Sequence, residues 1–427
     1  MNKFPTETLS RICSFLSKTD MQRFRLVCRR FSEVGAEYVC SSMSIFMIKK
    51  DLSKLYSFST NTQLARGLRE LEYTTVTMLP PSELHRRIPA RYRQYKSLAQ
   101  EQDDILTTHY DYMCFLSTFP RFPRLREITL YMDHRWWYHL DDLSKKYKDR
   151  RGMFPIGTLL TARAGSHHLQ MLLSVLAETR LKINCLTING LDWHFFDQND
   201  TKLKALFQPL VNLKYLDLKF DNNYRPDLNY EQSESESVIE NDNAVQDYNS
   251  CRELMSTGVL GRCLQTLPNL DTLKLSFKEF WCYDSRNFRG APLNAIVPPG
   301  FTWTYLNTLE LMCIDCERQD LMELLLRHKE TLRELCLVEI VLRNTSWIIL
   351  LDDIRRELYL TFAYIKGPIR GHFESHEEGH GAQNWVLRHN LLDLVPPYII
   401  AGGEMYPDLQ TCPLSAANSQ PIVGYWD

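Results

Sequence analysis

The sequence predicts an α/β chain: a small helical head, an irregular solenoid of repeated strand-and-helix units, and an end cap. Three observations predict it. The first forty residues hold three short runs of apolar side chains at helical spacing. A strand-like string, Leu-x-x-Leu-x-Leu or a close variant, returns seven times between Leu68 and Leu337. Between its copies lie apolar runs of helical period, clearest in Ser166–Glu178 and Asp320–His328.

The head comes first. Pro5 stands where a helix would begin, a position suited to fixed φ and no required N–H. Leu9, Ile12, Phe15 and Leu16 then recur three and four residues apart and make one apolar helix face. Thr19 and Asp20 are cap candidates for a second helix, with Met21, Phe24 and Leu26–Val27–Cys28 as its inward residues. A third helix carries Phe31, Val34 and Tyr38. A unit this small buries too little surface to fold well alone, yet it is dense in large apolar groups. It reads as a docking module whose core is completed by another protein. The plainer alternative is an amphipathic cap on a larger domain.

The string Phe-Pro-x-Glu-x-Leu-x-x-Ile-x-x-Phe-Leu from Phe4, then Thr19-Asp20, then Arg-Leu-Val-Cys-Arg-Arg-Phe from Arg25, resembles an F-box. That segment joins substrate receptors to the Skp-type adaptor of a ubiquitin ligase and, through the adaptor, to a cullin. The family usually has Leu before the proline, so Phe4 departs conservatively. Matched position by position, the resemblance implies that Pro5, Leu9, Ile12, Leu16, Leu26, Val27, Cys28 and Phe31 supply the adaptor surface and the local packing. Head and repeats together resemble fungal F-box proteins with degenerate leucine-rich repeats. The implied function is a non-enzymatic substrate receptor with a protein target. A scaffold acting outside ubiquitylation is the alternative.

After the head (1–42), residues 43–62 read as a helical linker, with a helix over Lys49–Leu55 and a connection through Ser57–Asn61. Repeats are expected over 63–345. Their strand strings are Leu68/Leu71/Tyr73, Leu125/Ile128/Leu130, Ile183/Leu186/Ile188, Leu213/Leu216/Leu218, Leu270/Leu273/Leu275, Leu306/Leu309/Leu311 and Leu332/Leu335/Leu337. Successive starts lie 57, 58, 30, 57, 36 and 26 residues apart. Most of these are near one or two units of about 28, the span of a leucine-rich repeat. One strand and helix cannot bury their apolar side alone, and stacked neighbours make one continuous core.

Side chains alternate along a strand, so the residue between the last two apolar ones points the other way. Parallel strands are therefore expected on a concave face and helices on a convex one. The outward residues Glu72, Thr129, Thr187, Asp217, Lys274, Glu310 and Cys336 are candidates for target binding. The position three past each last strand residue, usually Asn or Cys, holds Asp133, Leu191, Asp221, Lys278, Ile314 and Ile340 in the later six copies. No polar ladder survives, and an irregular arc is expected.

Excursions fill the doubled gaps. Pro80–Thr118 opens with turn residues and a basic run, His85–Lys96, then becomes helical. Asp221–Ser250 has eight acids against Arg225 and is expected as a solvated loop, with Ser233, Ser235 and Ser237 placed among acids. Beyond the repeats, 346–427 is expected as a cap: a helix over Ser346–Tyr359, a strand over 361–367, a polar loop over Gly367–Ala382, and a Pro- and Gly-rich tail.

Composition narrows the function. A net charge of −2 argues against nucleic acid, whose binding needs a basic surface. No apolar run reaches about eighteen residues and the amino terminus lacks a signal-peptide core, so no membrane partner is expected. Twelve scattered cysteines suggest reduced thiols in cytoplasm or nucleus.

Two strings resemble chemistry. His376-Glu377-Glu378-Gly379-His380 fits the H-E-x-x-H spacing of a zinc hydrolase, extended by His372 and Glu374. Gly371, Gly379 and Gly381 weaken the helix such a site needs, each by about 1 kcal/mol, so a solvated loop is expected. Cys313-x-x-Cys316 is half a zinc site without a second pair, and its thiols are expected as apolar filler. The aromatic clusters Arg135–His139 and Leu191–Phe196 are expected to pack repeat flanks rather than anchor a ligand. No catalytic residue, metal or cofactor is expected.

Overall fold

The computed structural model describes residues 4–75, 92–132, 162–221, 246, 249–277, 291–343, 347–366, 370–371, 397 and 399–400. They belong to two compact units, one built on Met1–Phe195 with Gln208–Leu210 and Arg225–Leu228, the other on Phe196–Phe207, Val211–Tyr224 and residues from Asn229 on.

The first unit begins with α1 (Thr6–Phe15), α2 (Lys18–Arg25) and α3 (Arg29–Val39). Pro5 is the first cap, as its fixed φ favours. The second cap is Ser17, not Thr19 or Asp20. Its hydroxyl accepts the Asp20 N–H at 3.1 Å and donates to the Asp20 carboxylate at 2.6 Å, so Asp20 answers the cap from inside the first turn. Leu9, Cys13, Met21, Phe31 and Ala36 are buried, and Phe24 stacks on Phe31 with centroids 4.3 Å apart.

Residues 43–62, expected as helical linker, hold a strand as well. β1 (Ser42–Phe46) comes first, followed by α4 (Lys49–Thr60) and α5 (Thr62–Ala65). Met43 and Ile45 bury one face of β1, and parallel pairing with the next strand supplies the partner that local sequence does not display. The helix runs through the expected connection at 57–60 because Leu52, Leu55 and Ser59 continue its buried stripe. Asn61 then caps α5 through its side-chain oxygen.

Next come β2 (Glu70–Thr74), α6 (Tyr92–Thr108), α7 (Tyr110–Thr118), β3 (Glu127–Tyr131), α8 (Ala162–Thr179) and β4 (Cys185–Asp192). The four strands are parallel, in the order β1-β2-β3-β4. Leu71, Tyr73, Ile128, Leu130, Leu186 and Ile188 are all at most 1 % exposed. Burying each such side chain contributes roughly 1.5–3 kcal/mol.

The second unit holds α9 (Asp200–Phe207), β5 (Tyr215–Asp221), α10 (Val259–Leu264), β6 (Thr272–Ser276), β7 (Ala291–Pro292), α11 (Leu293–Ile296), β8 (Thr308–Met312) and β9 (Ile314–Glu317). It continues with α12 (Arg318–Arg327), β10 (Glu334–Val338), β11 (Val341–Arg343), α13 (Trp347–Glu357), β12 (Phe362–Lys366) and β13 (Arg370–Gly371). β5-β6-β8-β10-β12 form one parallel ladder and β13-β11-β9-β7 a smaller one.

Each of the seven strings thus lies on a strand, and strands separated by doubled gaps pair directly, as β2 with β3, β3 with β4 and β5 with β6. The positions expected to lack a polar turn residue find another use. Cys313 and Glu339 adopt left-handed φ of 57° and 53° between the two ladders. The Cys313 N–H then donates to the Val338 carbonyl at 3.0 Å, while buried Ile314 and Ile340 lead into the smaller ladder. The helix expected over Ser346–Tyr359 and the strand over 361–367 appear as α13 and β12.

Among the described residues, no helix is long and apolar enough to cross a membrane. The aromatic cluster at 135–139, the acidic stretch at 222–245, the histidine string at 372–380 and the tail from 401 lie outside the described residues.

Candidate functional site

Two surfaces carry the candidate residues. On the head, α1 has buried Leu9 and Cys13 toward the other helices, which leaves Ile12 and Phe15 outward. Phe15 is 80 % exposed. At the end of α2 the Leu26 N–H bonds the Arg23 carbonyl at 3.0 Å and the Val27 N–H bonds that of Phe24 at 3.2 Å. The chain then extends through Cys28 and re-enters helix at Arg29. This tight exit holds Leu26 (86 % exposed) and Val27 (60 %) away from the core. Arg23 pairs with Asp20 at 3.6 Å and Arg29 with Glu33 at 3.0 Å beside them.

Of the eight matched positions, Ile12, Leu26, Val27 and Pro5 are exposed, Leu16 and Cys28 half-buried, and Leu9 and Phe31 buried as packing. Phe4 and Phe15, absent from the matched set, add exposed aromatic area. Both stand in the motif string and Phe15 also in the apolar stripe, but periodicity alone does not tell which edge of a stripe meets a neighbour.

The second surface is the outward face of the strands. In the first unit Ser44, Glu72, Thr129 and Thr187 stand opposite one another in an unbroken row. The Ser44 hydroxyl donates to the Glu72 carboxylate. In the second unit the row is Asp217, Lys274, Glu310, Cys336 and Tyr364. The register therefore brings together the candidates of each unit, with Ser44 and Tyr364 as additions.

Electrostatics differ along the second row. Lys274 Nζ lies 2.9 Å from a Glu310 carboxylate oxygen and 5.9 Å from the Tyr215 ring centroid. Burial alone would lower the Lys274 pKa, but Glu310 outweighs it and holds the ammonium firmly protonated. Asp217 is 3.4 Å from Lys219 Nζ, and burial raises its pKa despite the two lysines. Burial, with Glu310 adding, pushes the Cys336 thiol up to about 11, so it is no nucleophile at neutral pH. This face offers charge pairs, hydroxyls and exposed Phe362 and Tyr364, a set suited to gripping a surface.

Among the described residues the remaining candidate cysteines and aromatic side chains sit in the core. Cys313 and Cys316 are buried, and Cys313 Sγ meets a Glu339 oxygen at 3.2 Å. Among the described residues no group of three His, Cys, Asp or Glu side chains is placed to hold a metal ion. Leu191, Trp193, Phe195 and Phe196 are all buried, as core packing requires.

Residues 1–38 match the model of the family described as F-box-like. No curated protein matches the chain.

Proposed function

We propose that the chain is the substrate-recognition subunit of a Skp–cullin–F-box ubiquitin ligase. The head (1–42) binds the Skp-type adaptor and through it a cullin. The body (63–345) is a degenerate leucine-rich solenoid closed by 346–427, and its outward strand rows hold a protein target. One observation carries this reading: the segment that matches the F-box-like family leaves Ile12, Phe15, Leu26 and Val27 uncovered. Large apolar side chains held out by backbone geometry favour a partner, since covering them contributes about 25 cal/mol per Å². A specific interface of roughly 1,200–2,000 Å² in total is within reach of such a head.

The chain performs no bond chemistry in this scheme. It raises the effective concentration of a target beside the transferring enzyme. Glu72, Thr129, Thr187, Lys274 and Glu310 contribute the grip, helped by Tyr364, while Asp217, the sixth candidate, is only 5 % exposed.

The test is co-purification of full-length chain with the Skp-type adaptor. A Leu26→Asp, Val27→Asp variant should weaken binding about thirty-fold or more, the scale of interface anchors, with circular dichroism unchanged. Undiminished binding rejects the assignment. Adaptor binding without cullin recruitment would favour the scaffold instead.

A further inference from the structure

A line of polar side chains runs from the surface into the core of the first unit. His109, exposed at the cap of α7 with a left-handed φ of 51°, stacks on half-buried His167 with centroids 5.5 Å apart. His167 meets fully buried His168, again at 5.5 Å. The His168 Nδ1 is 3.7 Å from an oxygen of Asp111, which is completely buried. The Tyr73 hydroxyl donates to that same oxygen at 3.1 Å, and the Tyr112 N–H to the other at 2.9 Å. Tyr73 stands where the other six strand strings end in Leu or Ile. A polar group has thus been built into this layer of the core and tied to two helices.

We propose that this cluster is an acid-sensitive joint between α7 and α8, closed at neutral pH and opened when more than one of its imidazoles is protonated. The charges around α8 support this. Facing it are Tyr73 from β2, His109 and Asp111 from α7 and its cap, and Asp192 at the end of β4, while the Cys114 thiol donates to the Leu52 carbonyl of α4. On α8 itself Glu178 bonds the Tyr112 hydroxyl. The short turn Gln208–Leu210 adds no titratable group. Burial and Asp111 hold Tyr73 as a phenol, and burial pushes the Cys114 thiol up to about 12. Asp192 is occupied by the Ser166 hydroxyl at 3.2 Å and by His194 Nδ1 at 2.7 Å. Among the described residues Asp111 therefore remains the one carboxylate inside the cluster. It balances a first protonated imidazole and leaves a second uncompensated.

Burial, then the neighbouring His168, lowers the His167 pKa below its ordinary value of 6.5. A histidine depressed in the folded state contributes its full stability above the unfolded value. That contribution is lost as pH falls toward the folded one. Opening would loosen the support of β4, and with it the outward residue Thr187, while the head helices stay folded.

The test is hydrogen exchange of the full-length protein at about pH 7.5 and about pH 5.5, corrected for intrinsic rates, read in peptides from α7 and α8. Wild type should lose about tenfold or more of its protection there in acid. The His109→Gln, His167→Gln variant should keep its protection within about twofold. Equal wild-type protection at both pH values overturns the joint, as does an equal loss in the variant. If the double variant does not fold, His109→Gln on the surface replaces it. A lowered acid midpoint is then the supporting result, and an unchanged midpoint the overturning one.

Discussion

At His328 the protonation state is written into the hydrogen bonds. Its Nδ1 lies 2.8 Å from the Leu324 carbonyl, so it must donate, and its Nε2 accepts the Trp303 backbone N–H at 3.0 Å. A second proton would set donor against donor in a residue only 2 % exposed. Burial lowers its pKa, and Arg327 adds to the lowering against the Leu324 bond. The sign follows from linkage: stability from His328 is complete above about pH 6.5 and declines as pH falls toward the depressed value. Urea unfolding across that range should show a steeper acid loss for wild type than for His328→Asn. The variant should itself be less stable at neutral pH by about 1–3 kcal/mol, the cost of unpaired buried groups. Equal pH slopes for the two proteins would refute this account. Nothing in the sequence marked His328, because a lone histidine at the end of an apolar helix carries no local sign of its two partners.

Between elements, Gly67 shows how the head joins the strands of its own unit. A Cβ there would lie 2.3 Å from the Glu37 carbonyl oxygen on α3, a backbone atom that cannot swing aside. The same helix is held by Arg124, 2.7 Å from the Glu37 carboxylate. Gly67→Ala should lower stability by about 1–3 kcal/mol, the usual cost of forcing atoms into a packed site, measured as a fall in thermal midpoint. An unchanged midpoint would show that α3 is not held there. Strands were the most legible elements, since an inward pair of apolar residues with an outward residue between is a local signature. β1 was not: its Met43, Ile45 and Phe46, with Met47 just beyond it, form a nearly continuous apolar run that alternation alone does not resolve. Ser17 escaped for a related reason, because Thr19 and Asp20 are equally good caps on paper and only bond geometry chooses.

At the scale of the molecule, the proposed division of labour makes the two surfaces separable in the test tube and equivalent in the cell. A Lys274→Glu, Tyr364→Ala variant should bind the adaptor within about twofold of wild type, because surface changes away from an interface are usually near neutral. The Leu26→Asp, Val27→Asp variant should lose the adaptor. Quantitative proteomics should nevertheless find the same proteins accumulating in both strains. Disjoint sets would show that the outward rows do not select the target. The head positions could be named one by one because the motif is ordered, and the fold leaves Pro5, Ile12, Leu26 and Val27 among them exposed. The rows were legible as positions but not as electrostatics, since Lys274 spends its charge on Glu310.

The order of apolar and polar residues by itself determined that the seven strings and Phe362–Lys366 become strands, roughly where the helices lie, and which outward positions share a row. These follow from local periodicity, and no distant partner is needed to read them. Tertiary structure decided the rest: that β1 joins the ladder and a smaller ladder forms beside it, that strands on either side of a doubled gap pair directly, that Leu9 packs while Phe15 faces out, and that three histidines lead to one buried carboxylate. Each depends on which groups meet across dozens of residues, where burial and hydrogen-bond geometry set the outcome and the spacing of residues along the chain does not.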